Sequence, residues 1–295
     1  MKDSRKVRDF RAQLNRLHLV SRRLVEELLS GSYRSVFRGP GLEFSDVREY
    51  TLQDDVRSID WNVTARMGTP YSRVYQEERE LVLFFVLDVS ASLSYIPSIH
   101  RRQELEQMLL ALLSFCAIRN NDKVGAVFFS DRIERWIPPR TGKGHAFRLI
   151  NDLLGWNPSG KGSDLAHALR TVGKYLKKRA IVFILSDFKT GGYSKELSQV
   201  SRKHDVVAVR LYEDLDEEFP LQGFVRLLDP ETGEQIPAAG FSRSFQEAYM
   251  EYRTFWRRIW LRECGRRKVD TLEVAAHEDP GLRLIQFFQR RRKYR

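Results

Sequence analysis

Three short runs constrain the fold of this chain more than any other feature: Leu81-Val82-Leu83-Phe84-Phe85-Val86-Leu87, Val124 to Phe129, and Ile181-Val182-Phe183-Ile184-Leu185. They read as buried strands with no wet face. Strands of that kind belong inside a sheet covered on both sides, which in practice means a parallel α/β sheet. Helical spacings separate them. Leu105, Met108, Leu109, Leu112, Leu113 and Cys116 recur at one-face helical intervals, in a helix that ends near Arg119. Phe147 to Leu154 and Leu165 to Leu176 are helical by the same spacing, Val206 to Leu211 is a further strand, and Ile133 to Ile137 is a short strand able to pair with the second run. Strands alternating with helices predict right-handed crossovers and a doubly wound, mostly parallel sheet with helices on both faces. The unit is expected to close near Tyr212.

The flanks have a different character. Phe10, Leu14, Leu17, Leu24 and Leu28 line one side of an amphipathic helix, and Gly31 follows it. Residues 31–80 read as loops and short strands. Beyond Tyr212 come an acidic stretch, Glu213 to Glu218, a turn-rich segment around Asp229-Pro230, and two helices. Phe245, Tyr249, Tyr252, Trp256, Ile259 and Trp260 form an aromatic stripe on the first, read as core, and Asp279-Pro280 marks the start of the second. Three regions are expected: 1–79, 80–212 and 213–295.

Charge and cysteine usage narrow the class. The net charge is +11, and residues 241–295 hold 14 Lys and Arg against 7 Asp and Glu, so most of the excess lies at the C-terminal end. A solvated basic helix face is the first reading of that cluster, and nucleic-acid binding is the alternative. No apolar run approaches the roughly 20 residues of a membrane helix, and residues 1–30 are too charged for a signal-peptide core. A soluble cytoplasmic protein is expected. Cys116 and Cys264 lack CxxC spacing, which argues against a disulfide framework or zinc knuckle, and Cys116 sits on a buried stripe.

In open α/β sheets ligands bind beyond the carboxyl ends of the strands. The first run is followed by Asp88-Val89-Ser90-Ala91-Ser92, the third by Ser186-Asp187, and the loop before the helix at Leu165 reads Gly160-Lys161-Gly162-Ser163-Asp164. Asp88, Ser90, Ser92, Ser163 and Asp187 are hard oxygen ligands with little charge and room for water, the donor set that suits Mg²⁺. The alternative is purely structural: Asp88 as a helix cap and the serines in local side-chain turns.

Those same residues resemble the metal-ion-dependent adhesion site of von Willebrand factor A domains. Upstream, Gly39-Pro40-Gly41-Leu42-Glu43-Phe44, Arg48-Glu49-Tyr50, Asp54-Asp55-Val56-Arg57-Ser58-Ile59-Asp60-Trp61 and Glu77-Glu78-Arg79-Glu80 resemble the bacterial domain-of-unknown-function 58 family. Members carry a von Willebrand A-like domain and are commonly associated with MoxR-type AAA+ ATPases. The resemblance, over roughly residues 20–240, implies Mg²⁺ held directly by Asp88, Ser90 and Ser92, with Ser163 and Asp187 direct or through water, and Mn²⁺ or Ca²⁺ as in-vitro substitutes. It implies a protein-binding adaptor for such an ATPase and a client protein, with a partner's Asp or Glu completing the metal shell. The third-loop hydroxyl, usually Thr in the family, is Ser163 here. Many members have N-terminal membrane helices, and this chain shows none, in line with the soluble expectation.

Other chemistries find less support. Gly155-x-x-x-x-Gly160-Lys161 has the start of a P-loop, but Gly162 stands where Ser or Thr must bind the metal, and a helical run precedes it instead of a strand. There is no G-x-S-x-G elbow. The six histidines form no metal-ligand spacing, and His167 reads as a surface or satisfied residue. A Mg²⁺-dependent hydrolase needs a general base, and Asp164 is the nearby spare carboxylate. No catalytic constellation emerges, so the chain is read as a binding protein.

Overall fold

The seven residues of β3 (Val82–Asp88) are all buried, and the strand lies in the middle of a six-stranded sheet. The computed structural model describes residues 42–51, 54–77, 81–90, 99–156, 159–160, 162–213, 224–228, 235–239 and 242–294. The helix expected over 10–29, Ser92 and the Gly39-Pro40-Gly41 motif lie outside the described residues. The described chain divides into two units, residues 38–81 and the remainder.

In the smaller unit, β1 (Leu42–Glu49) and β2 (Tyr71–Glu77) form an antiparallel pair with an irregularity between Phe44 and Asp46. A single 3-10 turn (Val56–Ser58) and a helix, α1 (Trp61–Met67), lie between them. The sequence reading missed α1, which is seven residues long and buries none of them, so no apolar stripe announced it. Its signal was at the ends. Asp60 caps the start by accepting the Asn62 and Val63 N–H groups at 3.0 and 3.3 Å, and Gly68 closes it at φ +75°. Asp55 caps the 3-10 turn, while Asp54 accepts Arg48 at 2.6 Å and Thr51 N–H at 2.9 Å. The acids of this motif thus hold local turns.

In the larger unit the sheet order is β5-β4-β3-β6-β7-β10. Here α2 is Ile99–Arg119, β4 Lys123–Phe129, β5 Ile133–Arg140, α3 Lys143–Leu154, α4 Leu165–Tyr175, β6 Ile181–Ser186, α5 Ser194–Lys203 and β7 Asp205–Tyr212. A two-stranded ribbon of β8 (Phe224–Leu228) and β9 (Gln235–Ala239) follows, then α6 (Arg243–Arg266), β10 (Asp270–Ala275) and α7 (Pro280–Tyr294). All neighbouring pairs in the sheet are parallel except the β4–β5 hairpin. Phe84 and Val86 face a core made with Leu169 and Val172 of α4, Leu197 and Val200 of α5, and Trp260 and Cys264 of α6. Residues of opposite parity face the other side, where α2 packs on β3, β4 and β7 and carries α3 and α7 against it. This is the α/β fold, doubly wound with helices on both faces, that the apolar runs predict.

Strand β10 extends the sheet beyond Tyr212, and sequence reading missed it. Only three of its six residues are buried, so its apolar content is too thin to stand out between two helices. Most of the basic C-terminal cluster is exposed, as the solvated-face reading expects, but part of it is paired. Arg291 is buried and bonds Asp205 at 2.6 Å and Asp270 at 3.0 Å, Arg257 grips Glu273 at 2.8 Å, and Arg267 pairs with Glu263 at 2.9 Å. Arg257 and Arg291 fasten α6 and α7 to the last two strands, and Arg267 ties the end of α6 to the Ser194 carbonyl at the start of α5. The aromatic stripe is core only at one end: Trp260 is fully buried, whereas Tyr252 is 53% exposed. At 24 residues α6 spans about 36 Å, and only its C-terminal part lies over the sheet.

Candidate functional site

The chain leaves β3 for β4 on one side, while β6 lies on the other side of β3, so the ends of β3 and β6 flank the topological switch point. Asp88 ends β3 and Ser186 ends β6. Asp88 is 1% exposed. Its Oδ2 accepts the hydroxyls of Ser163 and Ser186, both at 2.8 Å, and its Oδ1 accepts the Ser90 N–H at 3.1 Å. Ser90 and Ser186 are fully buried. Three separate segments therefore converge on one carboxylate.

The Ser163 loop is held from several directions. Thr190 Oγ1 donates to the Ser163 carbonyl at 3.1 Å, and the Asp164 N–H donates to the Ser130 carbonyl at 2.8 Å. Glu134 Oε1 accepts Ser130 Oγ at 2.7 Å and the N–H groups of Ser159 and Gly160 at 3.0 and 2.8 Å. A Cβ at Gly160 would overlap Asp131 Oδ1 and Ser130 Oγ, so a larger residue here must displace those two side chains. The P-loop look-alike owes this glycine to packing. Asp164, the spare carboxylate considered as a base, caps α4 through the His167 N–H at 2.8 Å, and His167 is exposed.

Asp187 sits one residue beyond β6. Its Oδ1 accepts the Lys189 N–H at 3.1 Å, and its Oδ2 lies 3.4 Å from Arg102 Nη1. Arg102 also lies 3.6 Å from Glu213, and all three side chains are buried. Burial first, and the nearby Asp187 charge second, push the Asp88 carboxyl up to about 6, against hydrogen bonds from Ser90, Ser186 and Ser163. Among the described residues no Lys or Arg pairs with Asp88.

Of the five residues singled out from sequence, Asp88, Ser90, Ser163 and Asp187 come together, and Ser92 lies outside the described residues. Four side chains were not singled out as ligands or partners. Ser186 was visible as the hydroxyl beside Asp187. Arg102, Glu106 and Glu213 left no signal, because their burial depends on how α2 and the end of β7 meet the strand ends.

A small hard cation fits this donor set. Buried charges are normally paired or bound to metal, and Asp88 has only hydroxyl and amide donors. Among the described residues no group of three or more His, Cys, Asp or Glu side chains gathers as a metal cluster. A cation here would be held by hydroxyls and one or two carboxylates, which suits an ion that keeps part of its water.

The profile of a family described as "Protein of unknown function DUF58" matches residues 46–257. The chain belongs to the DUF58 family. Uncharacterized proteins Mb1516 of Mycobacterium bovis and Rv1480 of Mycobacterium tuberculosis are each 30% identical to it over 225 residues, 75% of this chain and 71% of theirs. Among solved structures, an aerotolerance-related membrane protein from Bacteroides fragilis aligns over 73% of this DUF58 chain and 100% of its own, at TM-score 0.47 and 14% identity. A mussel byssus proximal thread matrix protein, solved with a zinc-occupied MIDAS motif, aligns over 45% of this chain and 38% of its own, at TM-score 0.38 and 16% identity. No helix among the described residues of this DUF58 protein is long and apolar enough to cross a membrane.

Proposed function

We propose that this DUF58 protein is a Mg²⁺-dependent protein-binding adaptor of the adhesion-site type, working with a MoxR-type AAA+ ATPase on a client protein. The observation that carries the metal reading is the buried Asp88 carboxylate, ringed by serines and, among the described residues, lacking a basic partner. Asp88, Ser90 and Ser92 would hold the ion directly, with Ser163 and Asp187 direct or through water. A bound Mg²⁺ supplies positive charge with a coordination position that a partner's carboxylate can fill.

The chain's own residues do the positioning. Ser163 and Ser186 fix Asp88 Oδ2, the Ser90 N–H fixes Oδ1, and Arg102 holds Asp187 against the end of β6. Glu134 and Thr190 keep the Ser163 loop in register with the strand ends. The choice of an ATPase partner rests on the family resemblance. Pull-down of the MoxR-type ATPase with Mg²⁺ and with chelator tests it: capture that depends on Mg²⁺ and is lost in Asp88→Ala supports the adaptor. A metal-independent complex, or none, counts against it. Salt-sensitive nucleic-acid binding that persists in chelator would favour the basic-surface alternative.

A further inference from the structure

Behind Asp88 lies a chamber of about 50 Å³, lined by Asp88, Val89, Gln103, Glu106, Gln107, Leu153, Leu154 and Trp156. Water needs roughly 10–15 Å³ of such space per molecule and two or more polar partners. The chamber has both. Glu106 is 3% exposed, and its Oε1 has no hydrogen-bond partner; the Trp156 Nε1–H has none either.

The surrounding charges make Glu106 unusual. Arg102 precedes it by one helical turn on α2, the spacing that favours an ion pair, yet Arg102 reaches Asp187 and Glu213 instead. Among the described residues no Lys or Arg pairs with Glu106. Asp88, Asp187, Glu106 and Glu213 are thus four buried acids, of which Arg102 reaches Asp187 and Glu213. Burial, and next the Asp88 charge, raise the Glu106 carboxyl well above its ordinary range.

We propose that Glu106 is a positioning residue of the metal site: across the chamber from Asp88, it holds water beside the cation and adds a charge that favours a small, strongly hydrated divalent ion. This rests on the metal reading above and goes beyond the five-residue set. Outer carboxylates of this kind change metal affinity about 10–100-fold when removed.

The test is calorimetric titration of MgCl₂ into wild type, Glu106→Gln, Glu106→Asp and Asp88→Asn, with melting curves in chelator and in Mg²⁺. Glu106→Gln should weaken Mg²⁺ about tenfold or more, Glu106→Asp should recover most of the loss, and Glu106→Gln should melt in chelator no lower than wild type. Wild-type affinity in Glu106→Gln, with binding lost in Asp88→Asn, overturns the role of Glu106 and leaves the metal site standing. A Glu106→Gln protein that fails to fold in chelator and is not recovered by Mg²⁺ also overturns it, because that outcome assigns a structural role. If wild type binds no Mg²⁺, or if Asp88→Asn binds it unchanged, the metal reading fails and this inference with it.

Discussion

Replacing Asp88 by Asn should stabilise the metal-free protein while abolishing its response to Mg²⁺. The carboxyl ordinarily ionises near 3.8, and burial raises it to about 6, a difference worth about 3 kcal/mol. For a raised acid the sign is unfavourable to the ionised fold. Between the two values the folded chain binds more protons than the unfolded one, so stability falls as pH rises through that window and stays low above it. Asparagine carries no charge and escapes this. It does place an amide donor among groups that now donate to a carboxylate. Ser163 and Ser186 are hydroxyls and can turn to accept, while the Ser90 N–H keeps the remaining oxygen. Allowing about 1 kcal/mol for that rearrangement leaves a net gain of roughly 2 kcal/mol at neutral pH. For a chain of this size that is about 4–8 °C in melting temperature. Denaturation in chelator should show the gain near neutral pH and its near-disappearance at about pH 4, where the wild-type carboxyl is itself protonated. Millimolar Mg²⁺ should raise wild type alone. A metal-free Asp88→Asn protein less stable than wild type at neutral pH would refute the reasoning, since Asp88 would then be compensated in the fold.

Arg102→Leu should destabilise by about 3–5 kcal/mol, because it strands the buried carboxylates of Asp187 and Glu213; a loss under about 1 kcal/mol in urea titration would argue that neither is charged in the fold. His204 is buried with neither ring nitrogen hydrogen-bonded, and burial lowers it from 6.5 to about 4. Its depressed value means the fold loses stability as pH drops from 6.5 towards 4, so His204→Leu should flatten that part of the acid limb, and an unchanged slope would sink the assignment. Gly160→Ala should cost about 1–3 kcal/mol by overpacking against Ser130 and Asp131, and Mg²⁺ titration should show weakened binding through the displaced Ser163 loop. Burial pushes both Cys116 and Cys264 up to about 12, so neither should be alkylated in the native protein, and rapid labelling at neutral pH would show that the core around them opens.

What could be read from the sequence followed the strength of the local pattern. The buried strands β3, β4 and β6 declare themselves because their side chains are apolar apart from Lys123, Asp88 and Ser186 at their ends, and the residues that close β3 and β6 are necessarily at the carboxyl edge of the sheet. Asp88 and Asp187 were therefore placeable without coordinates. Strand β10 was not, since an edge strand with Asp270, Thr271 and Glu273 among its six residues looks like a loop between helices. Helix α1 was hidden for the same reason, its caps Asp60 and Gly68 being the cues. At the site, Ser186 lay next to a residue already named, but Arg102 and Glu106 look like ordinary solvent-facing members of an amphipathic helix. Their burial is set by where α2 crosses the strand ends, a tertiary fact with no local pattern in the sequence. The arginine-rich tail is mostly exposed, as its composition suggests, and the buried Arg291 escapes that reading because a paired arginine looks no different in the sequence.

The division of charge at the strand ends separates a permanent counterion from an exchangeable one. Arg102 comes with the fold and sits between Asp187 and Glu213, so those two acids are held whether or not a cation is present. Among the described residues Asp88 and Glu106 have no such partner, and the groups ringing Asp88 are hydroxyls and a backbone N–H, which orient a carboxylate without neutralising it. A site arranged this way is least stable when empty and charged, and so gains most from a divalent ion. If the site takes the proposed cation, that coupling would make the loop carrying Ser163 and the ends of β3 and β6 respond together to occupancy, as a surface that engages a partner only in its loaded state requires.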